Sequence, residues 1–128
     1  MRRVVVTGLG ALTPIGNTIE EYKKALFSGV SGASPITHFD TEHFKTKFAC
    51  EVKNFDPEDH FHKREVRRLD PFTQFALVVA EEAMKDSNIN LEKIDLDRAG
   101  VIWGSGIGGF YTIEKDIEEA ALAKPGHR

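Results

Sequence analysis

The feature that most constrains the fold is an apolar stretch, residues 99–109, that ends in four closely spaced glycines. Val101, Ile102 and Trp103 are β-branched or aromatic and uncharged, which is typical of a buried strand. Because glycine lets neighbouring groups approach the backbone closely, the glycines that follow predict a crowded turn. A helical pattern occupies residues 110–123. This order of strand, glycine turn and helix indicates an α/β protein.

The glycine turn has two competing interpretations. Gly104, Gly106 and Gly109 match the G-x-G-x-x-G fingerprint of dinucleotide-binding sites, between a predicted strand and a predicted helix. That fingerprint also requires a second strand that ends in an acidic residue about 20 residues further on. The acidic residues after this turn, beginning with Glu114, lie inside the predicted helix instead. We therefore favour a turn that serves packing over a nucleotide site.

The first half of the chain extends the α/β pattern. Residues 3–9 are mostly apolar and predict a buried strand, and residues 48–52 predict a short, half-exposed one. Thr18 and Glu21 form a capping box that predicts a helix over residues 19–28.

Two Asp-Pro pairs, at residues 56–57 and 70–71, are typical of helix starts. The second pair opens a predicted helix over residues 72–85 with apolar residues on nearly every side, so we expect burial on more than one face. No closing strand follows the last predicted helix. We therefore expect residues 1–128 to be one segment of a larger α/β domain.

Composition excludes several classes of protein. The chain has 128 residues, 41% of them hydrophobic, with a net charge of −3, which does not favour nucleic-acid binding. No apolar run approaches the ~20 residues of a membrane span, and the N-terminus lacks the pattern of a signal peptide. One cysteine excludes an internal disulfide and fits a reducing compartment. We expect a cytoplasmic protein.

These motifs, taken together and in this order, resemble the N-terminal part of the β-ketoacyl-acyl-carrier-protein synthases, most closely the type II synthases. The likeness covers essentially the whole chain. It rests on VVVTGLGALTPIGN (4–17), DPFTQF (70–75), GSGIGG (104–109) and residues 29–32, 36, 39–40, 55–56, 82–83 and 86–87. The resemblance implies an incomplete thiolase-like α-β-α-β-α fold, normally part of a homodimer.

The resemblance also implies a reaction, the decarboxylating condensation of an acyl thioester with malonyl-acyl-carrier protein, which needs no metal or nucleotide cofactor. The cysteine nucleophile and two histidines of the family would lie beyond residue 128, so this segment would contain no catalytic residue. Cys50 precedes the glycine turn, whereas the family nucleophile follows it. We interpret Cys50 as a small hydrophobic residue buried in a strand.

None of the histidines, at positions 38, 43, 60, 62 and 127, matches a catalytic position of the family. His60 and His62 lie near Asp59 and could suggest a metal site. Residues two apart do not share a helix face, and no cysteine pair or suitably spaced histidine pair supports them. We predict solvated histidines and no metal site.

Two features could carry function within the segment. Lys63, Arg64, Arg67 and Arg68, called the basic cluster below, resemble the family's docking site for the acidic acyl carrier protein. On a helix, Lys63 would stack over Arg67 and Arg64 over Arg68. The alternative is a solvated face with local acidic partners such as Glu65 and Asp70.

Ile107 is the second feature, a large apolar residue among glycines. Its position resembles one that lines the acyl-chain pocket in type II synthases, near the dimer interface, and that helps to set the length of the acyl chain. Ordinary core packing is the alternative. Two other functions remain open for the chain: a noncatalytic segment that docks a carrier protein or complements a second chain, and a nucleotide-binding α/β domain.

Overall fold

The computed structural model describes residues 3–122. Within that range the chain forms four α-helices and one small antiparallel sheet. The helices are α1 (Ile19–Phe27), α2 (Lys63–Val66), α3 (Pro71–Ser87) and α4 (Phe110–Leu122), and the strands are β1 (Ser34–Pro35) and β2 (Phe48–Ala49). Ser34 pairs with Ala49 and Pro35 with Phe48. Short 3-10 helices occupy Pro57–Asp59, Leu91–Lys93 and Leu96–Arg98.

Helix α1 forms where the capping box predicts it. The Thr18 hydroxyl accepts a hydrogen bond from the Glu21 backbone N–H at 3.2 Å. The Glu21 carboxylate reaches back and accepts from the N–H of Asn17, one residue before the N-cap, at 2.8 Å. The helix ends at Phe27, one residue earlier than predicted, and Gly29 follows it with a left-handed φ of 65°.

Helix α3 is the element against which the N-terminal loop, residues 3–18, lies. Gly8 and Gly10 approach its backbone so closely that a Cβ on either would lie 2.2 Å from a helix carbonyl oxygen, that of Ala83 or Val79. Glycine is therefore required at both positions, because any side chain would push the loop off the helix.

Two carboxylates on α3 hold that loop. Asp86 accepts a hydrogen bond from the N–H of Leu9 at 2.8 Å. Glu82 accepts two, from the N–H of Ala11 at 2.7 Å and from the N–H of Ile19 at 2.8 Å. One side chain of α3 therefore fixes both the loop and the first residue of α1.

The two long predicted strands are not formed within the described residues, and that prediction is wrong at the level of local structure. Residues 3–9 and 99–103 carry neither helix nor strand, and the predicted strand over residues 48–52 is reduced to β2. Val4 and Ile102 are 95% and 100% exposed. A strand exists only where a neighbouring strand accepts and donates its hydrogen bonds, and no described strand lies beside residues 3–9 or 99–103.

Helix α3 is less buried than predicted. It runs slightly beyond residues 72–85 at both ends, and Gln74, 5% exposed, is the only buried residue in residues 3–122. Its apolar side chains are half-buried, apart from the exposed Leu77 and Met84. The described segments cover one side of the helix, and none covers the other. The predicted end of the last helix, residue 123, lies outside the described range. No helix in that range is both long and apolar enough to span a bilayer.

Candidate functional site

The basic cluster lies at and just beyond the single turn of α2. Lys63 and Arg64 are in the helix, Arg67 is its C-cap, and Arg68 follows. The N–H of Arg67 reaches the Lys63 carbonyl at 3.4 Å, but the N–H of Arg68 bonds to the carbonyl of Glu65 at 2.8 Å, so the turn tightens. The segment is therefore not a continuous helix through Arg68, although all four basic residues are exposed.

The arginines of this cluster have no acidic partner within residues 3–122. Lys63 pairs with Glu58 at 3.2 Å, and none of the three arginines forms a salt bridge to a described side chain. The two acids expected to neutralise them make other contacts. Glu65 accepts from the N–H of His62 at 3.1 Å, and Asp70 accepts from the hydroxyl of Thr112. The cluster therefore presents three unpaired guanidinium groups to solvent.

Gln74 holds the basic cluster against α3. Its side chain is 5% exposed, and its Nε2 donates to the carbonyls of Val66 at 3.3 Å and Leu69 at 2.8 Å. The first is the carbonyl of the last residue of α2, which has no helical partner of its own, and the second lies in the segment between α2 and α3. Sequence reasoning missed this residue. The available signal was one amide side chain in the first turn of a largely apolar helix.

The glycine turn meets the start of α3. Gly109 has a left-handed φ of 73°, and a Cβ there would lie 3.2 Å from Oδ2 of Asp70. A Cβ on Gly108 would lie 2.9 Å from the ring of Phe72. A carboxylate and an aromatic ring therefore occupy the space beside the last two glycines. A negative charge at this place is unfavourable for a pyrophosphate, which supports the packing turn over a nucleotide site.

Ile107 lies in that turn, one residue before Gly108, and is 70% exposed. It does not pack into a core formed by the described residues. The structure brings the turn that bears Ile107 and the segment that bears the basic cluster together at Asp70, which follows Arg68 by two residues.

Cys50 follows β2 and is exposed, so the prediction that it is buried in a strand is wrong. The sheet has two strands of two residues each, and no described segment covers Cys50 beside it. Cys50 instead borders an aromatic groove of about 1060 Å³, with Phe44, Phe55, Phe75 and Tyr111 among the lining residues.

Glu51 lies at the same groove. The Thr37 hydroxyl donates to its carboxylate at 2.8 Å, and this bond is the main reason that the pKa of Glu51 is lowered. His38 lies 3.8 Å from the same carboxylate, and its positive form would add to the effect. The anionic form of Glu51 is therefore favoured, and its carboxylate joins the segment after β2 to the segment after β1.

The histidines are dispersed. The ring of His60 stacks on Phe55, with centroids 5.3 Å apart and planes 14° from parallel, while His62 precedes α2. Residues 3–122 contain no group of three or more histidine, cysteine, aspartate or glutamate side chains placed to hold a metal ion. His127 lies outside that range.

Comparison with known families decides the classification. Residues 1–127 match the model of the β-ketoacyl synthase N-terminal domain. The chain belongs to the β-ketoacyl synthase family. This match confirms the resemblance drawn from the sequence motifs. It also confirms the predicted α/β class, because residues 3–122 form part of such a domain.

Curated relatives of this β-ketoacyl synthase segment include 3-oxoacyl-[acyl-carrier-protein] synthase 2 of Staphylococcus aureus (strain COL), 49% identical over 88% of the chain. The protein of the same name from Vibrio cholerae serotype O1 is 47% identical over 99% of the chain. The chain spans only 27% and 30% of these relatives' lengths.

Solved ketosynthase structures share the fold. The ishigamide ketosynthase/chain length factor matches 73% of the chain with a TM-score of 0.65 and 40% identity, over 23% of its own length. The AntDE:AntF complex, a type II PKS acyl-carrier protein with its ketosynthase bound to the hexaketide, matches 95% of the chain. There the TM-score is 0.69 and the identity 25%, over 31% of that chain.

Proposed function

We propose that residues 1–128 form the N-terminal segment of a 3-oxoacyl-acyl-carrier-protein synthase of fatty-acid elongation. The observation that carries the proposal is the family match over residues 1–127, supported by relatives with that activity in their names. In the reaction, a cysteine thiolate takes an acyl group as a thioester. Malonyl-acyl-carrier protein then loses carbon dioxide, and the resulting carbanion attacks the acyl carbon and releases the thiolate. The nucleophile and its histidines would lie outside these 128 residues.

The basic cluster is the proposed docking site for the carrier. Carrier proteins are acidic, and the cluster presents exposed guanidinium groups that no described acid neutralises. Long-range attraction of this kind raises the association rate and orients the partner before contact. Gln74 contributes indirectly, because it anchors the end of α2 from which the arginines project.

Ile107 is the proposed lining residue of the acyl pocket. Its exposure among the described residues is the state expected of a side chain that faces space completed by other parts of the enzyme. We also propose that the complete enzyme is a cytoplasmic homodimer and that the condensation requires no metal or nucleotide.

The test uses the natural gene product, after its intact mass has been measured, with acyl- and malonyl-carrier proteins as substrates. We expect Arg67→Glu to raise KM for the carrier substrate roughly fivefold or more, with kcat nearly unchanged, because it reverses one docking charge. The effect should shrink at high ionic strength.

Arg98→Glu is the matched control, since Arg98 is an exposed arginine on a separate 3-10 helix. An equal rise in KM for both variants would contradict docking at the basic cluster. Lack of condensation by the wild-type gene product would contradict the enzymatic proposal itself.

The exposed arginines also support a second candidate, a noncatalytic segment that docks a carrier or complements another chain. A natural mass near 14.3 kDa, with salt-sensitive carrier binding and no turnover, would favour it. A mass several times larger, with condensing activity, would favour the enzyme.

A further inference from the structure

Asp70 occupies the N-cap position of α3, but its side chain does not cap the helix. Its backbone is extended, and its carbonyl accepts the N–H groups of Thr73 and Gln74 at 2.9 and 3.0 Å. An aspartate at this position normally uses its carboxylate for the free amides of the first turn, a contact that stabilises the helix. Here no side-chain cap bond forms. The carboxylate is therefore available for a contact elsewhere in the fold.

That contact is with the start of α4, 42 residues further along the chain. Oδ1 of Asp70 accepts the hydrogen bond from the Thr112 hydroxyl, and Oδ2 faces the Cα of Gly109. The ring of Phe72, two residues after Asp70, faces Gly108 in the same way. The first turn of α3 thus contacts two consecutive glycines and the first turn of α4.

The other side of the turn is not held in the same manner. A Cβ added to Gly104 or to Gly106 would meet nothing within 4 Å among the described residues. The position of Ile107 is therefore set from its C-terminal side, by Gly108 and Gly109 against Phe72 and Asp70. The hydrogen bond between Asp70 and Thr112 is the directional part of this contact. Because its geometry is angular, it forms only when the first turn of α4 has one orientation relative to α3.

We propose that Asp70 and Thr112 are a positioning pair that fixes the glycine turn and, through it, the acyl-length preference set at Ile107. The selectivity part of this inference rests on the proposed condensing function. A displaced Ile107 would change the room available at the end of the acyl chain. Pockets of this kind distinguish substrates that differ by single methylene groups, so a small displacement has a measurable effect.

Thr112→Val and Thr112→Ser separate the hydroxyl from the shape of the side chain. Valine keeps the β-branched outline and removes the donor, whereas serine keeps the donor. In the natural gene product, we expect valine to accelerate amide hydrogen exchange over residues 106–113 several-fold, while serine leaves it near the wild-type rate. We also compare kcat/KM for the longest accepted acyl substrate with kcat/KM for the substrate two carbons shorter. The ratio of the first to the second should fall by about threefold or more in Thr112→Val and should not change in Thr112→Ser.

Asp70→Asn and Asp70→Ala give an independent comparison from the other side of the bond. Asparagine retains an oxygen that accepts from Thr112, and alanine does not. We expect alanine to reproduce the effects of Thr112→Val and asparagine to remain close to wild type. This second pair keeps the inference testable even if one variant folds poorly.

Unchanged exchange in Thr112→Val would show that the hydrogen bond does not hold the turn, and would overturn the inference. Faster exchange with an unchanged acyl-length ratio, in an active enzyme, would overturn the selectivity role. Wild-type protein without condensing activity would overturn the proposed function and the selectivity role with it. The exchange rates would then still decide whether the pair fixes the turn.

Discussion

A glycine can be required for its backbone conformation, for its lack of a side chain, or for both, and Gly29 and Gly109 separate these requirements. Both have a left-handed φ, 65° and 73°. A Cβ on Gly29 would meet nothing within 4 Å, whereas a Cβ on Gly109 would lie 3.2 Å from Asp70. We expect Gly29→Ala to lower the free energy of unfolding by about 1–2 kcal/mol, the cost of the conformation alone. Gly109→Ala should cost more.

Chemical denaturation of the natural gene product measures both losses. Equal losses for the two variants would mean that the contact between Gly109 and Asp70 adds no cost of its own.

For single residues, sequence alone predicts candidates whose charge or size differs from that of their neighbours in the chain. The basic cluster and Ile107 were proposed because charges or a large apolar side chain stand out among their neighbours and match positions of the family. Gln74, Asp70 and Thr112 were not found as functional candidates, because their roles depend on partners that lie 5 to 42 residues away. Asp70 even carries a misleading local signal, since it has the sequence of an N-cap and uses its carboxylate elsewhere.

Elements whose signals are local were predicted well. The start of α1 depends on hydrogen bonds that span three or four residues, and that of α3 is marked by Pro71 at its first position, so both can be identified without knowledge of the fold. Strands depend on a partner that sequence periodicity does not identify. Residues 3–9 and 99–103 have the composition of strands, and the described residues supply nothing beside them to pair with.

Glu82 provides a test of how α3 supports the elements around it. Its two carboxylate oxygens accept from two backbone amides, those of Ala11 and Ile19. Glutamine has only one acceptor oxygen, so Glu82→Gln leaves one amide facing an N–H₂ group. We expect a loss of about 1–3 kcal/mol in the free energy of unfolding, measured by chemical denaturation of the natural gene product.

The neighbouring Glu81 is the control for Glu82. It is exposed and pairs with Lys85 at 2.7 Å on the surface of the same helix. Glu81→Gln should leave the denaturation midpoint nearly unchanged, because exposed ion pairs contribute little to stability. A similar loss from both substitutions would mean that the Glu82 contacts do not hold the loop.

The whole molecule, as residues 3–122 describe it, exposes the surfaces that an α/β domain normally buries. Val4 and Ile102 are almost fully exposed, and no apolar side chain in the described range is fully buried. Sequence reasoning identified the α/β class correctly and expected a segment of a larger domain. It overestimated the burial of α3 and Cys50, because burial depends on the layers that cover an element as well as on its own composition.

We therefore expect residues 1–128, expressed alone, to self-associate and to bind a hydrophobic dye. Size-exclusion chromatography with light scattering gives the mass directly. Ile102→Lys should reduce the association, because it places a charge on one exposed apolar segment. Phe27→Lys changes another exposed apolar residue, at the end of α1 and 81% exposed, and should have a smaller effect. A monomer with a cooperative melting transition would contradict the expectation.

The bond between Ile19 and Glu82 has a consequence for the order of events during synthesis. The acceptor lies 63 residues after the donor. At translation rates of about 5–20 residues per second, the ribosome makes Glu82 roughly 3 to 13 s after Ile19. During that time the backbone N–H of Ile19, the first residue of α1, has no native acceptor, because most of α3 has not yet been made.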